Sequence, residues 1–321
     1  MSVDADLARG HQPGHSPGLL AIHAQVREAL DLERPVVALE STIVTHGLPR
    51  PRNLEAARRS EAAIRDGGAV PATIALHDGV IRIGLAEGEL DALAAEPEPT
   101  KVSRQDLAAA LGRSGWAGTT VSATMIAAQA AGIRVFATGG IGGVHRGGER
   151  SLDISADLEE LARTPVVVVC AGPKSILDVG RTLEYLETRG VPVLGYATDE
   201  VPGFFSRSSG HRAPARVETP DEVAGIARRH WQLGLASGLM VCVPPPEDEA
   251  LARHEADSAI ERAIADAEAA GIHGPASTPW VLARVARLTD GRSVTANLAL
   301  IERNAHVAAV IAVALAGRRD G

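Results

Sequence analysis

The sequence predicts an α/β protein, specifically an α/β/α sandwich with a central, mostly parallel sheet and a helical C-terminal region. Three observations support this prediction. Short β-branched runs alternate with longer stretches of helical periodicity, which is the pattern of β-α-β units. The run VVVV at 166–169 is apolar at every position, as expected of a strand buried on both faces. From Glu247 onward the periodicity is mostly helical.

Local signals justify each element in chain order. PVVALES (35–41) predicts a strand, and the amphipathic stretch from Arg52 to Gly68 predicts a helix that ends at a Gly-Gly pair. The runs that begin at Ala69 and Gly79 predict two strands around the turn HDG. QDLAAALGRSG and TVSATMIAAQAAG have helical periodicity. Further strands, each bounded by Gly or Pro, are predicted at IRVFATGG, TPVVVVCAG, VPVLGYATD and GLMVCVPPP, and a long apolar helix from about Thr295 to Arg318.

Composition limits the domain organisation and the partners. A chain of 321 residues that is 45% hydrophobic can bury a substantial core. We expect a flexible N-terminal tail at 1–16, without a secretory signal, and a single domain at 17–318. No apolar run reaches the ~20 residues that span a bilayer, so no membrane partner is predicted. The net charge of −8, without basic and aromatic clusters, argues against nucleic acid but leaves room for a small anionic ligand. Cys170 and Cys242 lie in apolar runs, which predicts buried free thiols in the cytoplasm.

Lys174 is one of only two lysines among the 32 Lys and Arg residues. Pro173 before it fits the first position of a helix that SILDVGRTLEYLETRG would continue. Lys174 is therefore predicted in a first helical turn at the carboxyl end of a buried strand, where open α/β sheets bind ligands. The positive end of the helix and burial would both favour a neutral, nucleophilic amine, a state that arginine cannot reach. The alternative is that the two lysines are surface residues retained by chance.

Other ionisable residues occupy suggestive positions. Lys101 precedes the helix signal Ser103, where a phosphate would suit both its charge and the helix N-terminus. Glu40 ends the first strand, either as a site residue or as a capping acid. Asp153 and Asp157 lie four residues apart and would share one face if a helix begins there. Such a pair suits a divalent cation or proton transfer, although acids at a helix N-terminus also complement its dipole.

Glycine-rich motifs are less specific. GHSPG (14–18) has the letters of a hydrolase nucleophile elbow but no strand before it. AGPKS lacks the glycines of a phosphate-binding P-loop. TGGIGGVHRGGE (138–149) does not fit the dinucleotide spacing, so it is either a loop that approaches a ligand or a structural turn. His145 within it is either a functional residue or an ordinary surface histidine.

Several stretches, in order, resemble the pseudouridine-5′-phosphate glycosidase family, whose members include indigoidine synthase A-like proteins. The resemblance runs from about residue 17 to 318 and rests on ALESTIVTHGLPRP, GAVPATIAL, TKVSRQDL, FATGGIGGVHRG, DISADL, CAGPKSILD, VPVLGY and STPWVLARV. It implies reversible cleavage of the C–C glycosidic bond of pseudouridine 5′-phosphate to uracil and ribose 5-phosphate. It also implies a divalent metal, Mn²⁺ with Mg²⁺ as the alternative, an α/β/α fold and a homotrimer.

The resemblance also implies roles for individual residues. Lys174 matches a Schiff-base nucleophile, Glu40 a proton donor and Asp153 a metal ligand. The matching substrate-binding positions are Lys101, Val121, Ser155, Ala156 and Asp157, with Thr138, His145 and Asn297 lining the base and sugar pocket. We further expect Thr120 beside the phosphate, and Asp157 as an acid that assists hydrolysis of the lysine adduct.

Other functions remain as alternatives. An indigoidine-synthesis A-type enzyme would act on a related phosphorylated nucleoside. A Schiff-base aldolase would instead cleave a carbon–carbon bond within a sugar phosphate and need no base. A protein that only binds phosphosugars would show tight binding without turnover.

Overall fold

The computed structural model of the chain describes residues 18–272 and 277–317, so the predicted tail and the GHSPG motif lie almost wholly outside the described residues. The strands are β1 (Leu20–Ile22), β2 (Val36–Leu39), β3 (Val70–His77), β4 (Val80–Ile83), β5 (Thr100–Val102), β6 (Trp116–Thr119), β7 (Val135–Ala137), β8 (Val144–His145), β9 (Val167–Cys170), β10 (Leu177–Asp178), β11 (Val193–Tyr196), β12 (Ala215–Val217) and β13 (Leu239–Cys242). The helices are α1 (Ala24–Asp31), α2 (Arg52–Asp66), α3 (Glu87–Ala95), α4 (Leu107–Ala110), α5 (Val121–Ala130), α6 (Gly148–Ser151), α7 (Ala156–Leu161), α8 (Val179–Thr188), α9 (Pro220–Gln232), α10 (Arg253–Ala269), α11 (Ser277–Leu288) and α12 (Arg292–Ala316). A π-helical turn (Ile43–Gly47) follows β2, and a 3₁₀ turn (Arg104–Asp106) precedes α4.

Within the described ranges, eleven strands form one mixed sheet. Its main path is β1-β4-β3-β2-β7-β9-β13-β11-β12, and β6 joins it beside β3 with β5 at its outer edge. All pairings from β3 through β2 to β12 are parallel, whereas β4 and β6 run antiparallel to β3. The predicted strands are present, and the sheet is mostly parallel as predicted.

The strands alternate their side chains between two helical layers. Val36 and Ala38 pack in a core with α1, α5, α7 and α8, whereas Val37 and Leu39 pack in a core with α2, α9 and α12. Successive side chains of a strand point to opposite faces, so apolar residues at every position require a helical layer on each side. This arrangement confirms the predicted α/β/α sandwich. Helices α10 and α11 pack with the first half of α12 in a third core.

The carboxyl ends of β2 and β6 point towards each other. The first half of β3 pairs with β2, and its second half pairs with the antiparallel β6. The two strand ends are joined because the Thr119 N–H donates to the Ser41 hydroxyl at 2.9 Å. Residues after β2, β6, β7 and β9 therefore converge on one region, where the binding crevice of an open α/β sheet lies.

Helix α12 is the long apolar helix predicted near the C-terminus. Among the described residues it is the one helix long and apolar enough, by length and composition, to cross a membrane, although charged Glu302 and Arg303 interrupt its apolar run. Its apolar residues pack against α2, α9 and the strands β2, β7 and β9. That packing is the one expected of a core helix.

Candidate active site

Lys174 lies in a loop after β9, so its predicted place in a first helical turn is wrong. Helix α8 begins five residues later, where the Asp178 carboxylate accepts the Arg181 N–H at 2.9 Å as the N-cap. The intervening segment pairs instead with the loop after β7, because Lys174 N–H donates to the Ile141 carbonyl at 2.9 Å. The helix-dipole argument therefore does not apply to Lys174. Its position at the carboxyl end of a buried strand is as predicted.

The Lys174 loop requires glycine just before it. Gly172 has φ +85°, and a Cβ there would lie 2.7 Å from the Pro202 carbonyl oxygen. Both constraints exclude a side chain at this position. The backbone of the loop is thus held in one path, with the half-buried Lys174 at its end.

Glu40 is a buried carboxylate held by two hydroxyls. It is 7% exposed at the end of β2. The Thr42 hydroxyl donates to Oε2 and the Thr138 hydroxyl donates to Oε1. Thr138, which follows β7, is thereby joined to Glu40. Thr42 was not predicted from the sequence, because a threonine two residues after a glutamate matches no known motif.

Asp157 connects three elements through its carboxylate. Oδ1 accepts the Ser122 N–H of α5 at 2.9 Å, and Oδ2 accepts the Gly142 N–H at 2.8 Å. Ser155 caps α7, with its hydroxyl accepting the Asp157 N–H at 3.2 Å, and Ala156 is the first helical residue. A Cβ on Gly142 would lie 2.7 Å from Asp157 Oδ2, so glycine permits this approach. This geometry positions the loop after β7 against the N-termini of α5 and α7.

Asp153 is separated from Asp157 by the start of α7, so the predicted pairing on one helix face is wrong. The side chain of Asp153 is 54% exposed, whereas Asp157 is buried. The side chain of Asp153 lies near His145, with Oδ2 of Asp153 3.8 Å from Nδ1 of His145. His145 in turn pairs in register with Leu177, which places it beside the Lys174 loop.

The structure fits the predicted metal only if the ion keeps most of its water ligands. Within residues 18–272 and 277–317, no group of three His, Cys, Asp or Glu side chains is arranged to hold an ion. A single exposed carboxylate such as Asp153 suits an ion that keeps most of its waters, as Mg²⁺-like ions do beside phosphate substrates. Asp153 therefore fits an open site completed by water and substrate rather than a cage of protein ligands.

Lys101 lies in β5, directly opposite Gly118 of β6. Its side chain is accessible to solvent, yet protein atoms surround it. Burial lowers the pKa of Lys101, and the positive charge of Lys174 lowers it further, while Glu40 and Asp157 act in the opposite direction. These interactions bring four of the predicted residues into one electrostatic neighbourhood.

Three hydroxyls gather at the N-terminus of α5 near Lys101. The Ser103 and Ser122 Oγ atoms are 3.0 Å apart, and Thr120 Oγ1 lies 3.2 Å from each of them. Thr120 is the N-cap and the buried Val121 the first residue of α5, a position where helix N–H groups lack intrahelical partners. Hydroxyls, helix amides and a lysine are the groups that proteins use for phosphate.

Two asparagines of α12 are buried, and one of them, Asn304, contacts the site from the other helical layer. Asn304 Nδ2 donates to the Thr138 carbonyl at 2.8 Å, and Asn297 lies two turns earlier on the same helix face. The Asn297 Oδ1 is buried without a hydrogen-bond partner among the described residues. Such an acceptor suits an N–H of a ligand. Asn304 was not predicted from the sequence.

Known proteins resemble this chain over nearly its whole length. The family model described as indigoidine synthase A like protein matches residues 25–314. The chain belongs to this family. Curated relatives named pseudouridine-5′-phosphate glycosidase include one from Solibacter usitatus, 55% identical over 92% of this chain and 99% of the relative. Another, from Methylobacterium nodulans, is 56% identical over 94% of this chain and 90% of the relative.

Solved structures of the family share the fold. A prealnumycin C-glycosynthase in complex with ribulose 5-phosphate is 38% identical, with a TM-score of 0.87 over 94% of this chain and 98% of that one. An indigoidine synthase A-like protein from Thermotoga maritima is 37% identical, with a TM-score of 0.85 over 96% and 99% of the two chains. The site described above therefore lies in a scaffold that these enzymes and this chain have in common.

Proposed function

We propose that the chain is a pseudouridine-5′-phosphate glycosidase, which cleaves the C–C bond between uracil and ribose 5-phosphate and also forms it. The proposal rests chiefly on one observation. Lys101 interacts electrostatically with Lys174, Glu40 and Asp157 at the carboxyl edge of the sheet, in a chain whose relatives have this name. A lysine for a phosphate and a second lysine for a carbonyl carbon suit a pentose 5-phosphate.

A carbon-linked base requires a different route from that of an ordinary glycosidase. Those enzymes protonate an oxygen or nitrogen leaving group between two carboxylates. A uracil bound through C5 has no lone pair at that atom to protonate, so direct departure is unfavourable. Opening the sugar ring first gives C1′ an electrophilic character that an amine can use.

The proposed steps assign one task to each residue. Glu40, held by the Thr42 and Thr138 hydroxyls, protonates the ring oxygen as uracil loses a nitrogen proton, and the C1′–O bond breaks. The Lys174 amine then adds to C1′. Protonation of uracil C5 breaks the C–C bond and leaves an iminium between Lys174 and the opened sugar. Water hydrolyses this iminium, which releases ribose 5-phosphate and restores the amine. Solvent takes up the nitrogen proton that uracil loses on ring opening, and it later returns one proton to that nitrogen and one to Glu40.

In this scheme Asp157 mainly holds neighbouring backbone segments in place. Both of its oxygens accept backbone N–H groups, so it fixes the loop after β7 and the α5 N-terminus around the reacting carbon. Its role as an acid in hydrolysis stays a prediction. A divalent ion at Asp153, when bound, would supply polarised water.

The two ends of the substrate fit different parts of the site. Lys101, the α5 N-terminus and the Ser103, Thr120 and Ser122 hydroxyls would bind the phosphate. Phosphate binding away from the bond that breaks orients the reacting carbon. Asn297 and His145 would contact the base and sugar, with the Asn297 oxygen accepting an imide N–H.

A second candidate is a C-glycosidase or C-glycosynthase acting on another aromatic partner. The solved relative named as a C-glycosynthase, which holds a pentulose phosphate, favours this possibility over an aldolase. The scaffold and the lysine chemistry would be the same, and only the aglycone would differ. The indigoidine-synthesis A-type substrate belongs to this class of alternatives.

Release of uracil tests the proposal directly. Pseudouridine 5′-phosphate should give uracil and ribose 5-phosphate, followed by ultraviolet absorbance and chromatography. Uridine 5′-phosphate, an N-glycoside of the same shape, and unphosphorylated pseudouridine are the matched controls and should react far more slowly. Absence of uracil from the wild-type chain, at any tested concentration of manganese or magnesium, would reject the assignment.

A further inference from the structure

His46 lies at the end of the π-helical turn that follows Glu40, and it takes no part in the proposed chemical steps. Its ring is half-buried. Nδ1 lies 2.7 Å from Thr45 Oγ1, and that hydroxyl lies 3.2 Å from the Ser41 carbonyl oxygen. The carbonyl of Pro99 interacts with the ring as well. The histidine thus connects the segment after Glu40 with the chain that enters β5.

Two observations place His46 beside Lys101. Pro99 lies two residues before Lys101 in the chain. Thr45 packs on Gly118, where a Cβ would lie 2.2 Å from Thr45 Oγ1, and Gly118 is the register partner of Lys101. Burial lowers the pKa of His46, the positive charge of Lys101 lowers it further, and the Pro99 carbonyl opposes both. In the free protein, burial and the nearby Lys101 charge therefore both disfavour the protonated form of His46.

We propose that His46 is a positioning residue of the phosphate site, which takes up a proton from solvent when a phosphate dianion binds beside Lys101. This inference rests on the proposed function for the identity of the phosphate ligand. A bound dianion offsets the charge of Lys101, so it removes the repulsion that adds to the effect of burial in lowering the pKa of His46. The ammonium of Lys101 is in turn close to Lys174, Glu40 and Asp157, which complete the charged surroundings.

The hydrogen bonds around His46 can accommodate both states. In the neutral ring, the Thr45 hydroxyl donates to Nδ1. In the protonated ring, Nδ1–H donates to Thr45 Oγ1, and the Thr45 hydroxyl donates to the Ser41 carbonyl instead. Ser41 adjoins Glu40 and accepts the Thr119 N–H. Phosphate binding is thereby coupled to the segment that carries Glu40.

The expected signature is proton uptake on binding. Isothermal titration of ribose 5-phosphate and of inorganic phosphate at neutral pH, in buffers of different ionisation enthalpy, measures the protons exchanged. His46→Asn should lose this uptake, because asparagine can accept from Thr45 but does not titrate. His230→Asn is the matched control: His230 is another half-buried histidine, with Nε2 2.7 Å from the Ser237 hydroxyl, and burial lowers its pKa too.

The pH dependence of affinity gives a second measurement. A group that is protonated only in the complex makes binding tighter as the pH falls. Relative to His46→Asn, wild-type affinity for ribose 5-phosphate should rise about fivefold between about pH 8 and about pH 6. The phosphate also titrates in this range, with a pKa of about 6, but this affects both proteins equally. The ratio of the wild-type affinity to the His46→Asn affinity at each pH therefore reports the contribution of His46.

The outcomes separate the inference from the proposed function. Equal proton uptake by wild type and His46→Asn, or parallel pH profiles, would overturn the role of His46. Absence of uptake by the wild type would overturn it as well, even if the variant failed to fold by circular dichroism. Normal phosphate binding with proton uptake, but no uracil release from pseudouridine 5′-phosphate, would support His46 and reject only the proposed activity.

Discussion

The two lysines share one neighbourhood but differ in the backbone that carries them and in their exposure. Lys174 is half-buried at the end of a loop whose backbone is fixed by the Ile141 carbonyl and by the left-handed Gly172. Lys101 extends from a strand, opposite a glycine, with a solvent-accessible side chain and three hydroxyls nearby. A fixed backbone suits an atom that must form and break a covalent bond. An accessible cation among hydroxyls suits a phosphate that exchanges with solvent.

The roles proposed for the two lysines predict different tolerance of arginine at the two positions. Covalent chemistry needs an amine that can lose its proton, which arginine cannot do. Phosphate binding needs only charge and donors, and arginine supplies both. Substitution of arginine for lysine should therefore have different effects on turnover at the two positions.

The largest effect is expected for Lys174→Arg. The guanidinium keeps the charge but cannot form the iminium, so turnover should fall on the order of 10³-fold or more while the fold is retained. Lys101→Arg, the matched control, should retain most of the rate. Steady-state kinetics with pseudouridine 5′-phosphate, together with circular dichroism, measure both.

Trapping locates the adduct. Borohydride added to the protein with ribose 5-phosphate should reduce an iminium and label Lys174, which mass spectrometry can map. A label on Lys101, or turnover by Lys174→Arg comparable to the wild type, would refute the distinction between the two lysines.

A smaller effect is expected for Lys101→Met, which removes the charge but keeps a chain of similar length. A lost charge-assisted hydrogen bond corresponds to about 10- to 100-fold in KM. The value of kcat should change much less. Borohydride should still trap ribose 5-phosphate on Lys174 in this variant. A fall in kcat with unchanged KM would mean that Lys101 takes part in the chemical steps.

The sandwich itself was predictable because its signals are local and repeated. Valine runs, glycine and proline boundaries and helical periodicity identify strands and helices without knowledge of their partners. The course of β6 against the carboxyl end of β2 was not predictable. It depends on β3 pairing with two strands along one edge, a relation between residues 34 to 43 positions apart.

The site was predictable at the strand ends but not between them. Glu40 and Lys174 follow apolar runs, so their location at the sheet edge follows from topology alone. The helix predicted at Pro173 failed because the segment pairs with the loop after β7 instead, and Asp178 supplies the cap. Thr42, Ser122 and Asn304 act through three-dimensional contacts that no spacing signals.

Asp153 lies on an exposed loop, and its neighbour His145 is beside the Lys174 loop. A single exposed carboxylate contributes one ligand to an ion that keeps its waters, so its loss should weaken metal binding without removing the chemistry. Dialysis against a chelator should lower the rate, and added manganese should restore it. In Asp153→Asn the manganese concentration for half-maximal rate should rise about tenfold, with kcat recovered at saturation. Glu149→Gln, which replaces another exposed carboxylate of the same region, should behave like the wild type.

Full activity of the metal-free protein would contradict the role of Asp153. Loss of activity in Asp153→Asn that manganese cannot restore would instead assign this carboxylate to the reaction itself.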